Sequence, residues 1–317
     1  MKVLANDGLA KSGISALEKA GFEVELSTVP QEELVTYINE NNVVVLLVRS
    51  ATKVRTDIID NCPSLKIIGR GGVGMDNIDV DYARGKGLHV INTPAASSHS
   101  VGELVFAHLF GMARFLPQSN REMPLEGDTK FKVLKKSFAK GVELRGKTLG
   151  VIGFGRIGQA TAKIAIGLGM KVIAFDPFMD EVNLEIEFFD HQTLFFNINT
   201  ISKEEVLKQS DFISLHVPAQ KDYVISTKEF EMMKDGACIV NAARGGVVDE
   251  VALVKALEEG KIAKAALDVF EKEPTPEIQL LMNPNLSLTP HIGAATGEAQ
   301  DRIGTELASQ IIEILGQ

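Results

Sequence analysis

Short apolar runs alternate along the chain with longer stretches in which apolar residues recur at helical spacing. The runs VVVLLV at 43–48, TLGVIG at 148–153 and ACIVNA at 237–242 have no polar face, which is typical of strands buried on both sides of a parallel sheet. Intervening segments such as DEVALVKALEEG have the pattern of amphipathic helices. The alternation predicts an α/β protein with doubly wound parallel sheets.

The strand-like runs form two series. The first ends at about residue 92 and is followed by a helical segment, HSVGELVFAHLFGMARFL, and then by a polar stretch around EGDTKFKVLKKS that we expect to be irregular. A second series begins at Thr148. The last segment, from Thr296, has apolar residues at helical spacing and no following strand, so we predict that it packs back on the first domain.

Composition and charge narrow the classes of function. Hydrophobic residues make up 45% of the 317 residues and charged residues 24%, as in folded globular proteins. The formal charge of -9 disfavours binding to nucleic acid or to an anionic membrane. Neither cysteine stands at metal-ligand spacing, and no stretch is long and apolar enough for a membrane span. We therefore expect no metal site and a cytoplasmic location.

A glycine-rich loop follows the first strand of the second series. The sequence Gly153-Phe154-Gly155-Arg156-Ile157-Gly158 is GxGxxG, and Asp176 ends the next strand, KVIAF. In dinucleotide-binding folds the glycines bring the backbone close to a pyrophosphate, and the acid binds the ribose. No cation follows Asp176 to meet a 2′-phosphate, which favours NAD over NADP. A tight turn in an unrelated α/β fold is the alternative.

Three later segments supply reactive side chains at predicted strand ends. Arg244 lies in NAARG, Glu273 in DVFEKEP and His291 in TPHIG. Arginine binds carboxylates through two parallel hydrogen bonds, histidine exchanges protons near neutral pH, and a neighbouring glutamate orients the ring. Taken singly, each residue could be a surface ion pair, a solvated charge or a structural histidine. Together they fit hydride and proton transfer at a carbon that carries a carboxylate.

Two arginines follow strands of the first series. Arg49 comes directly after VVVLLV and Arg70 after LKIIG, with Lys53 nearby. A phosphate dianion that approaches an acidic protein needs fixed cations, so we predict that the two arginines bind a substrate phosphate. The alternative is that they are only solvated.

The motifs VIGFGRIG, NAARGGVVDE, ALDVFEKEP and TPHIG, in this order and spacing, resemble those of the D-isomer-specific 2-hydroxyacid dehydrogenases, and the resemblance covers essentially the whole chain. Within that family, VRSATKVRTDII at 48–59 and GRGGVGMDNID at 69–79 are most similar to the phosphoglycerate dehydrogenase branch. The resemblance implies NAD-dependent oxidation of 3-phospho-D-glycerate to 3-phosphohydroxypyruvate, the first step of serine biosynthesis.

The resemblance also implies the domain arrangement. A Rossmann NAD-binding domain at 99–290 is expected to be inserted into a discontinuous, flavodoxin-like substrate domain formed by residues 1–98 and 291–317, with a cleft that closes on binding. A homodimer is expected to form through the segment near residues 100 to 120 of the NAD domain.

Site residues carry over from the matching motifs. His291 is the expected acid/base, Glu273 its partner, and Arg244 the group that binds the substrate carboxylate and polarises the carbonyl. The expected substrate-binding residues are Arg49, Arg70, Gly72, Val73, Gly74 and Arg244. The expected NAD-binding residues are Gly153, Gly155, Arg156, Ile157, Gly158, Asp176, His216, Val217, Pro218, Ala242, Ala243, Arg244, Asp268, His291 and Gly293.

The chain departs from the family in several places. Ser97 stands where the family often has asparagine, the tryptophan common after Glu126 is missing, and the stretch after Asp176 is longer than usual. We expect no regulatory domain after residue 317 and therefore no feedback inhibition through such a domain. Two other functions stay open: a reductase of glyoxylate, hydroxypyruvate or another D-2-ketoacid, and an NAD(H)-sensing binding protein similar to corepressors of this fold.

Overall fold

The computed structural model describes residues 1–316, which divide into two compact units. Unit 1 consists of Met1–Ser100 and residues 294–316, and unit 2 of Val101–Gly293. These limits lie two to three residues beyond the limits expected from sequence, so that His291 belongs to unit 2. Each unit is built around its own parallel sheet.

Unit 1 contains a five-stranded parallel sheet in the order β2-β1-β3-β4-β5, which is the flavodoxin-like order. Its central strand is the run VVVLLV, which is almost entirely buried, because helices cover both faces of the sheet. The strands are β1 (Lys2–Ala5), β2 (Glu23–Glu25), β3 (Val43–Val48), β4 (Ile67–Arg70) and β5 (His89–Asn92). The helices between them are α1 (Lys11–Lys19), α2 (Leu34–Glu40), α3 (Thr56–Asn61) and α4 (Val80–Gly85).

Two helices connect the sheets in sequence, α5 (Ser98–Ala113) and α6 (Leu116–Ser137). The expectation of an irregular stretch around EGDTKFKVLKKS is wrong except at Lys130, where non-helical backbone angles kink α6, because the rest of residues 126–137 is helical. Lysine, glutamate, leucine and methionine favour helix even where no apolar face exists. Only Leu134 of the described residues of α6 is buried, so the helix lacks the periodic apolar stripe by which helices are recognised in sequence.

Unit 2 contains a six-stranded parallel sheet in the order β13-β12-β11-β10-β6-β7, a Rossmann-type order. Its two faces are covered by separate apolar clusters, one around Ile213 and Leu253 and the other around Val105 and Phe154. The remaining strands are β6 (Thr148–Ile152), β7 (Lys171–Phe175), β8 (Glu181–Glu187), β9 (Thr193–Asn199), β10 (Phe212–Leu215), β11 (Ala237–Asn241), β12 (Ile262–Leu267) and β13 (Leu286–Leu288). The helices are α7 (Arg156–Gly167), α8 (Lys203–Gln209), α9 (Thr227–Met232), α10 (Glu250–Glu258) and α11 (Ile278–Leu281).

The long stretch after Asp176 forms an antiparallel hairpin of β8 and β9. Leu184 and Phe196 face each other across the two strands, and both pack into the cluster that also contains Val105 of α5. Beyond β9, Thr200 pairs with Ala174 of β7 in a single parallel bridge. The hairpin therefore stands where a third Rossmann strand would lengthen the sheet beyond β7.

The last helix, α12 (Gly297–Leu315), packs on unit 1. Ile303, Leu307 and Ile311 enter the same apolar cluster as Val3 of β1 and Ile67 of β4. The segment that we predicted to return to the first domain is therefore part of unit 1. Among residues 1–316, no helix is long and apolar enough to cross a membrane.

Candidate active site

Most of the predicted cofactor and catalytic residues follow the carboxyl ends of strands in the sheet of unit 2. The glycine loop begins after β6, Asp176 follows β7, His216 follows β10, and Ala242 follows β11. Asp268 comes directly after β12, and His291 and Gly293 follow β13. Because all six strands are parallel, these residues lie along one edge of the sheet, where ligands bind in open α/β folds.

The glycine loop has the backbone geometry that a dinucleotide requires. Gly153 has a φ of +89°, and a Cβ atom added there would lie 2.6 Å from the carbonyl oxygen of His216, so only glycine fits. A Cβ at Gly158 would lie 2.2 Å from the Gly153 oxygen, which shows how closely α7 approaches the strand. A Cβ at Gly155, the N-cap residue of α7, meets nothing within 4 Å. Arg156 and Ile157 form the first turn of that helix, whose N–H groups face an open space suited to a pyrophosphate.

Asp176 lies against this loop. Its Oδ2 accepts a hydrogen bond from the Phe154 N–H at 2.7 Å, and its Oδ1 accepts one from the Phe178 N–H at 2.9 Å. These bonds fix the carboxylate at the end of β7 and leave further lone pairs for hydroxyl donors. The carboxylate thus suits the two ribose hydroxyls of NAD.

His216 is held at the end of β10 beside the same loop, and it begins the His216-Val217-Pro218 turn. The His216 N–H donates to the Ile152 carbonyl oxygen at 2.8 Å, and Nε2 lies 2.9 Å from the Ser214 hydroxyl. Burial lowers the pKa of the imidazole to about 3, so the ring is neutral at physiological pH. Its Nδ1 is buried without a hydrogen-bond partner among residues 1–316.

A buried asparagine shapes the turn that carries Arg244. Asn241 is 2% exposed, and its Oδ1 accepts from the Ala243 N–H at 3.1 Å while its Nδ2 donates to the Arg244 carbonyl oxygen at 2.9 Å. One guanidinium nitrogen of Arg244 donates to the Ala243 carbonyl oxygen at 2.6 Å. The turn is further closed at Gly245, where a Cβ would lie 1.9 Å from the Phe270 oxygen. These contacts fix the backbone from which the Arg244 side chain projects.

Glu273 and His291 form a hydrogen-bonded pair. The Glu273 Oε2 lies 2.9 Å from the His291 Nδ1, and its Oε1 accepts from the Phe270 N–H at 3.0 Å. The side chains are 36% and 37% exposed, so both can reach solvent or a substrate. With Nδ1 donating to the carboxylate, Nε2 is left to exchange a proton. This is the arrangement of a histidine oriented by a carboxylate for acid–base chemistry.

His291 has a φ of +55°, a backbone conformation that is unfavourable for residues other than glycine. Its N–H donates to the Asp268 carbonyl oxygen at 2.8 Å. The Asp268 carboxylate, 1% exposed, accepts from the Ile292 N–H at 2.8 Å and the Gly293 N–H at 2.9 Å. Asp268 therefore holds the backbone of His291 and of the two residues after it, and we infer that it compensates the strain there.

Two residues that were not predicted from the sequence support Asp268. The Thr289 hydroxyl donates to the Asp268 Oδ1 at 2.7 Å and lies 3.0 Å from Nε2 of His108, whose Nδ1 is 2.8 Å from the Ser287 hydroxyl. Burial lowers the pKa of His108, which favours the neutral ring that this chain of bonds needs. Thr289 lies in the TPHIG motif and could have been suspected from it, whereas His108 on α5 carries no signal in its local sequence.

In unit 1 the two predicted arginines follow neighbouring strands. Val48 pairs with Arg70 in the parallel register of β3 and β4, so Arg49 and Arg70 stand at the same edge of that sheet. The Arg70 guanidinium lies over Gly72, where a Cβ would come within 1.8 Å of it. The loop that follows β4 is anchored through the Val73 carbonyl oxygen, which accepts a hydrogen bond from the Asn92 Nδ2 at 2.7 Å.

Other predicted features of unit 1 occupy different surroundings. Lys53 is exposed, and its N–H donates to the Gln31 Oε1 at 3.0 Å. Ser97 is 3% exposed, just before α5. Gly74 lies in the same loop as Val73. Across the described part of the chain, no group of three or more histidine, cysteine, aspartate or glutamate residues could hold a metal ion.

Comparison with known proteins gives the same family that the motifs indicated. The model of the D-isomer specific 2-hydroxyacid dehydrogenase NAD binding domain matches residues 106–293. A hydroxypyruvate reductase of Thermotoga maritima is 46% identical over 321 residues, covering 99% of this chain and 98% of that protein. A D-3-phosphoglycerate dehydrogenase of Methanocaldococcus jannaschii is 45% identical over 322 residues, but the match spans only 57% of that longer protein.

Solved structures agree with these matches. The D-lactate dehydrogenase of Aquifex aeolicus, solved in complex with NAD and lactic acid, superposes with a TM-score of 0.76 at 28% identity, covering 100% of this chain and 96% of that one. The glycine loop and Asp176 described above fit the same cofactor. The chain belongs to the D-isomer specific 2-hydroxyacid dehydrogenases and is an NAD-dependent enzyme of that family.

Proposed function

We propose that this enzyme reduces hydroxypyruvate, or a closely related small 2-keto acid such as glyoxylate, to the D-2-hydroxy acid. The observation that carries the proposal is the 46% identity to a hydroxypyruvate reductase over almost the whole of both chains. From the sequence we expected oxidation of 3-phospho-D-glycerate as the main activity and this reduction as the alternative.

The chain's own residues are assigned the following roles in reduction. Arg244 binds the substrate carboxylate and polarises the carbonyl through paired N–H donors. His291 donates the proton on its Nε2 to the carbonyl oxygen, and Glu273, 2.9 Å from Nδ1, neutralises the charge of the doubly protonated ring. The backbone of Gly72, Val73 and Gly74 is assigned to the substrate carboxylate.

The cofactor is assigned to the loop from Gly153 to Gly158, to Asp176 and to the residues that follow β10 and β11. Arg156 and Ile157 supply backbone N–H groups, Asp176 the ribose contact, and the turn from His216 to Pro218 a wall for the adenine. Ala242, Ala243, Asp268 and Gly293 are assigned to the nicotinamide side. When bound, NADH supplies the hydride that the carbonyl carbon accepts.

Oxidation of 3-phospho-D-glycerate is the second candidate. It is favoured by Arg49 and Arg70, two cations at one edge of the unit 1 sheet, because a phosphate dianion would pair with both. The 45% identity to a D-3-phosphoglycerate dehydrogenase also supports it.

Steady-state kinetics with NADH separates the two candidates. Hydroxypyruvate, glyoxylate and 3-phosphohydroxypyruvate are compared by kcat/KM under the same conditions. Equal or higher kcat/KM for the unphosphorylated acids supports the reductase. A preference of about a hundredfold for the phosphorylated acid, equivalent to about 2.7 kcal/mol of transition-state binding, would overturn it in favour of phosphoglycerate dehydrogenase.

We also propose that the protein is a homodimer through unit 2. Phe110 of α5 is 43% exposed and Leu116 at the start of α6 is 60% exposed, and exposed apolar residues of this kind mark contact surfaces. A cytoplasmic location stays a prediction from the sequence. Sedimentation velocity over a range of protein concentrations tests the dimer, which a constant monomer mass would exclude.

A further inference from the structure

Helix α6 is a long helix with almost no packing partner. Of its residues from Leu116 to Ser137, all of which the structure describes, only Leu134 is buried. Leu125, Phe131 and Val133 are 76%, 56% and 60% exposed. Most helices of globular proteins are stabilised by packing an apolar face. A helix that leaves three large apolar side chains in water therefore suggests a missing partner.

The end of this helix and the residues after it are strongly basic. Residues 129–142, the lysine segment, contain five lysines and no acidic residue. Lys132, Lys135 and Lys136 are spaced i, i+3 and i+4, which places them on one face of the helix. Within residues 1–316 these three lysines make no ion pair. Their charge is therefore available to an external partner.

The β8–β9 hairpin has the opposite charge. Residues 180–199, the acidic hairpin, contain five acidic residues and no lysine or arginine. Glu185 faces Phe195 across the strands on the surface turned away from the core, and Phe195 is 62% exposed. At the tip, Phe189 is 99% exposed. Like the lysine segment, the hairpin combines exposed apolar side chains with charge of one sign.

We propose that the partner of both surfaces is a second copy of this chain, in which the acidic hairpin of each copy binds the lysine segment of the other. The two segments carry equal and opposite formal charge, five against five, and both belong to unit 2. A two-fold axis repeats every contact, so one dimer forms two such pairs at once. Complementary charge of this kind selects the partner and its register.

The position of the hairpin supports this pairing. Its inner face packs into the same cluster as Val105 and Leu109 of α5, and α6 follows α5 in the chain. The hairpin therefore packs into the same cluster as α5, the helix that carries part of the proposed dimer surface, and the lysine segment begins on the helix that follows it in the chain. The inference rests on the proposed self-association of unit 2 and is independent of the proposed substrate.

Charge reversal tests the pairing directly. One variant carries Lys132→Glu, Lys135→Glu and Lys136→Glu, and the other carries Glu185→Lys, Glu187→Lys and Asp190→Lys. Each homodimer would then have two contacts between like charges. In a heterodimer of the two variants, however, the unaltered hairpin of the first variant meets the unaltered lysine segment of the second, and the two altered segments meet each other. Both contacts then join opposite charges.

Matched controls keep the net charge the same but change unit 1. Lys11→Glu, Lys19→Glu and Lys66→Glu match the first variant, and Glu18→Lys, Glu32→Lys and Glu40→Lys match the second; all six positions are exposed. Circular dichroism and NADH binding establish that each variant is folded. Sedimentation velocity gives the dissociation constant of each protein and of the mixture.

We expect each reversal variant to dissociate at least about tenfold more readily than the wild type, the controls to stay within about threefold, and the mixture to form a heterodimer. Raising the salt concentration should weaken the wild-type dimer, because exposed charges are screened. Homodimers of undiminished affinity in both variants, or a mixture that stays monomeric, would overturn the pairing while self-association stands. A monomeric wild type would overturn both, and the turnover assays would be unaffected.

Discussion

Replacing Glu273 with glutamine tests the acid–base assignment most directly. Both oxygens of Glu273 accept hydrogen bonds, one from the Phe270 N–H and one at Nδ1 of His291. A carboxamide has one oxygen and one NH2 group, so it cannot accept both bonds. Either the Phe270 N–H loses its acceptor, or Nδ1 must accept a hydrogen bond. In the second case the neutral ring carries its proton on Nε2, which is the wrong form to act as a base in oxidation.

The expected size of the effect follows from the bond that is lost. A hydrogen bond to a charged group contributes about 1.5 to 3 kcal/mol, which corresponds to a loss of about 10- to 150-fold in rate. Since both side chains are more than one-third exposed, water can replace part of the interaction, and we expect a loss in kcat of about 10- to 50-fold. The affinity for NADH should be unchanged.

The assay compares kcat and KM in both reaction directions with the dissociation constant of NADH. Glu277→Gln is the matched control, because Glu277 lies on the same stretch of chain and pairs with exposed Lys272. If Glu273→Gln keeps kcat within twofold of wild type in both directions, Glu273 does not assist His291 and the assignment is wrong.

Arg49→Ala should raise KM for 3-phosphohydroxypyruvate about tenfold or more and leave KM for hydroxypyruvate nearly unchanged; equal effects on both would remove Arg49 from phosphate binding. Thr289→Val removes a hydrogen bond to the buried Asp268 carboxylate, worth about 2 kcal/mol, and should lower Tm by about 4–8 °C, whereas Thr289→Ser should not. Burial holds the pKa of His216 at about 3, below the 6.5 of a free imidazole, so the unfolded chain binds a proton first as the pH falls. The free energy of unfolding is therefore unaffected by the protonation of His216 well above pH 6.5 and falls progressively below that pH, by roughly 2 kcal/mol at pH 5. The variant His216→Asn should show a smaller fall in Tm between pH 7.5 and pH 5 than the wild type.

The parallel sheets were predictable because buried strands leave a direct mark on the sequence. The run at Val43–Val48 has no polar face, and the structure buries nearly all of it. Likewise, the sequence from Gly153 to Asp176 contains GxGxxG, then a strand and then an acidic residue. In the structure the glycine loop, the start of α7 and the Asp176 carboxylate lie together. In these segments the sequence pattern predicts the structure because the neighbouring residues in the chain largely determine the environment of each residue.

The features that were not predicted depend on contacts between residues distant in sequence, or lie in segments that bury few apolar side chains. His108 and Thr289 are 181 positions apart, and a single sequence gives no sign that they meet. The lysine segment lacks apolar periodicity because its helix buries only Leu134. Apolar and polar residues alternate along part of the hairpin at Glu181–Asn199. Its outer face, however, also carries Phe195 among charged residues, so the pattern lacks the regular two-residue period of a half-buried strand.

The packing of α1 against α12 has a consequence for the way the protein is made. At Gly13 a Cβ atom would lie 2.7 Å from the backbone of Gly304, so the two helices touch main chain to main chain. Unit 2 is continuous in sequence, whereas unit 1 needs residues 294–316 to cover Val3 and Ile67. At about 5–20 residues per second, ribosomes take roughly 10–40 s to add the intervening segment. During that time the apolar face of β1 and β4 is a target for chaperones, and unit 2 can fold before unit 1 is complete.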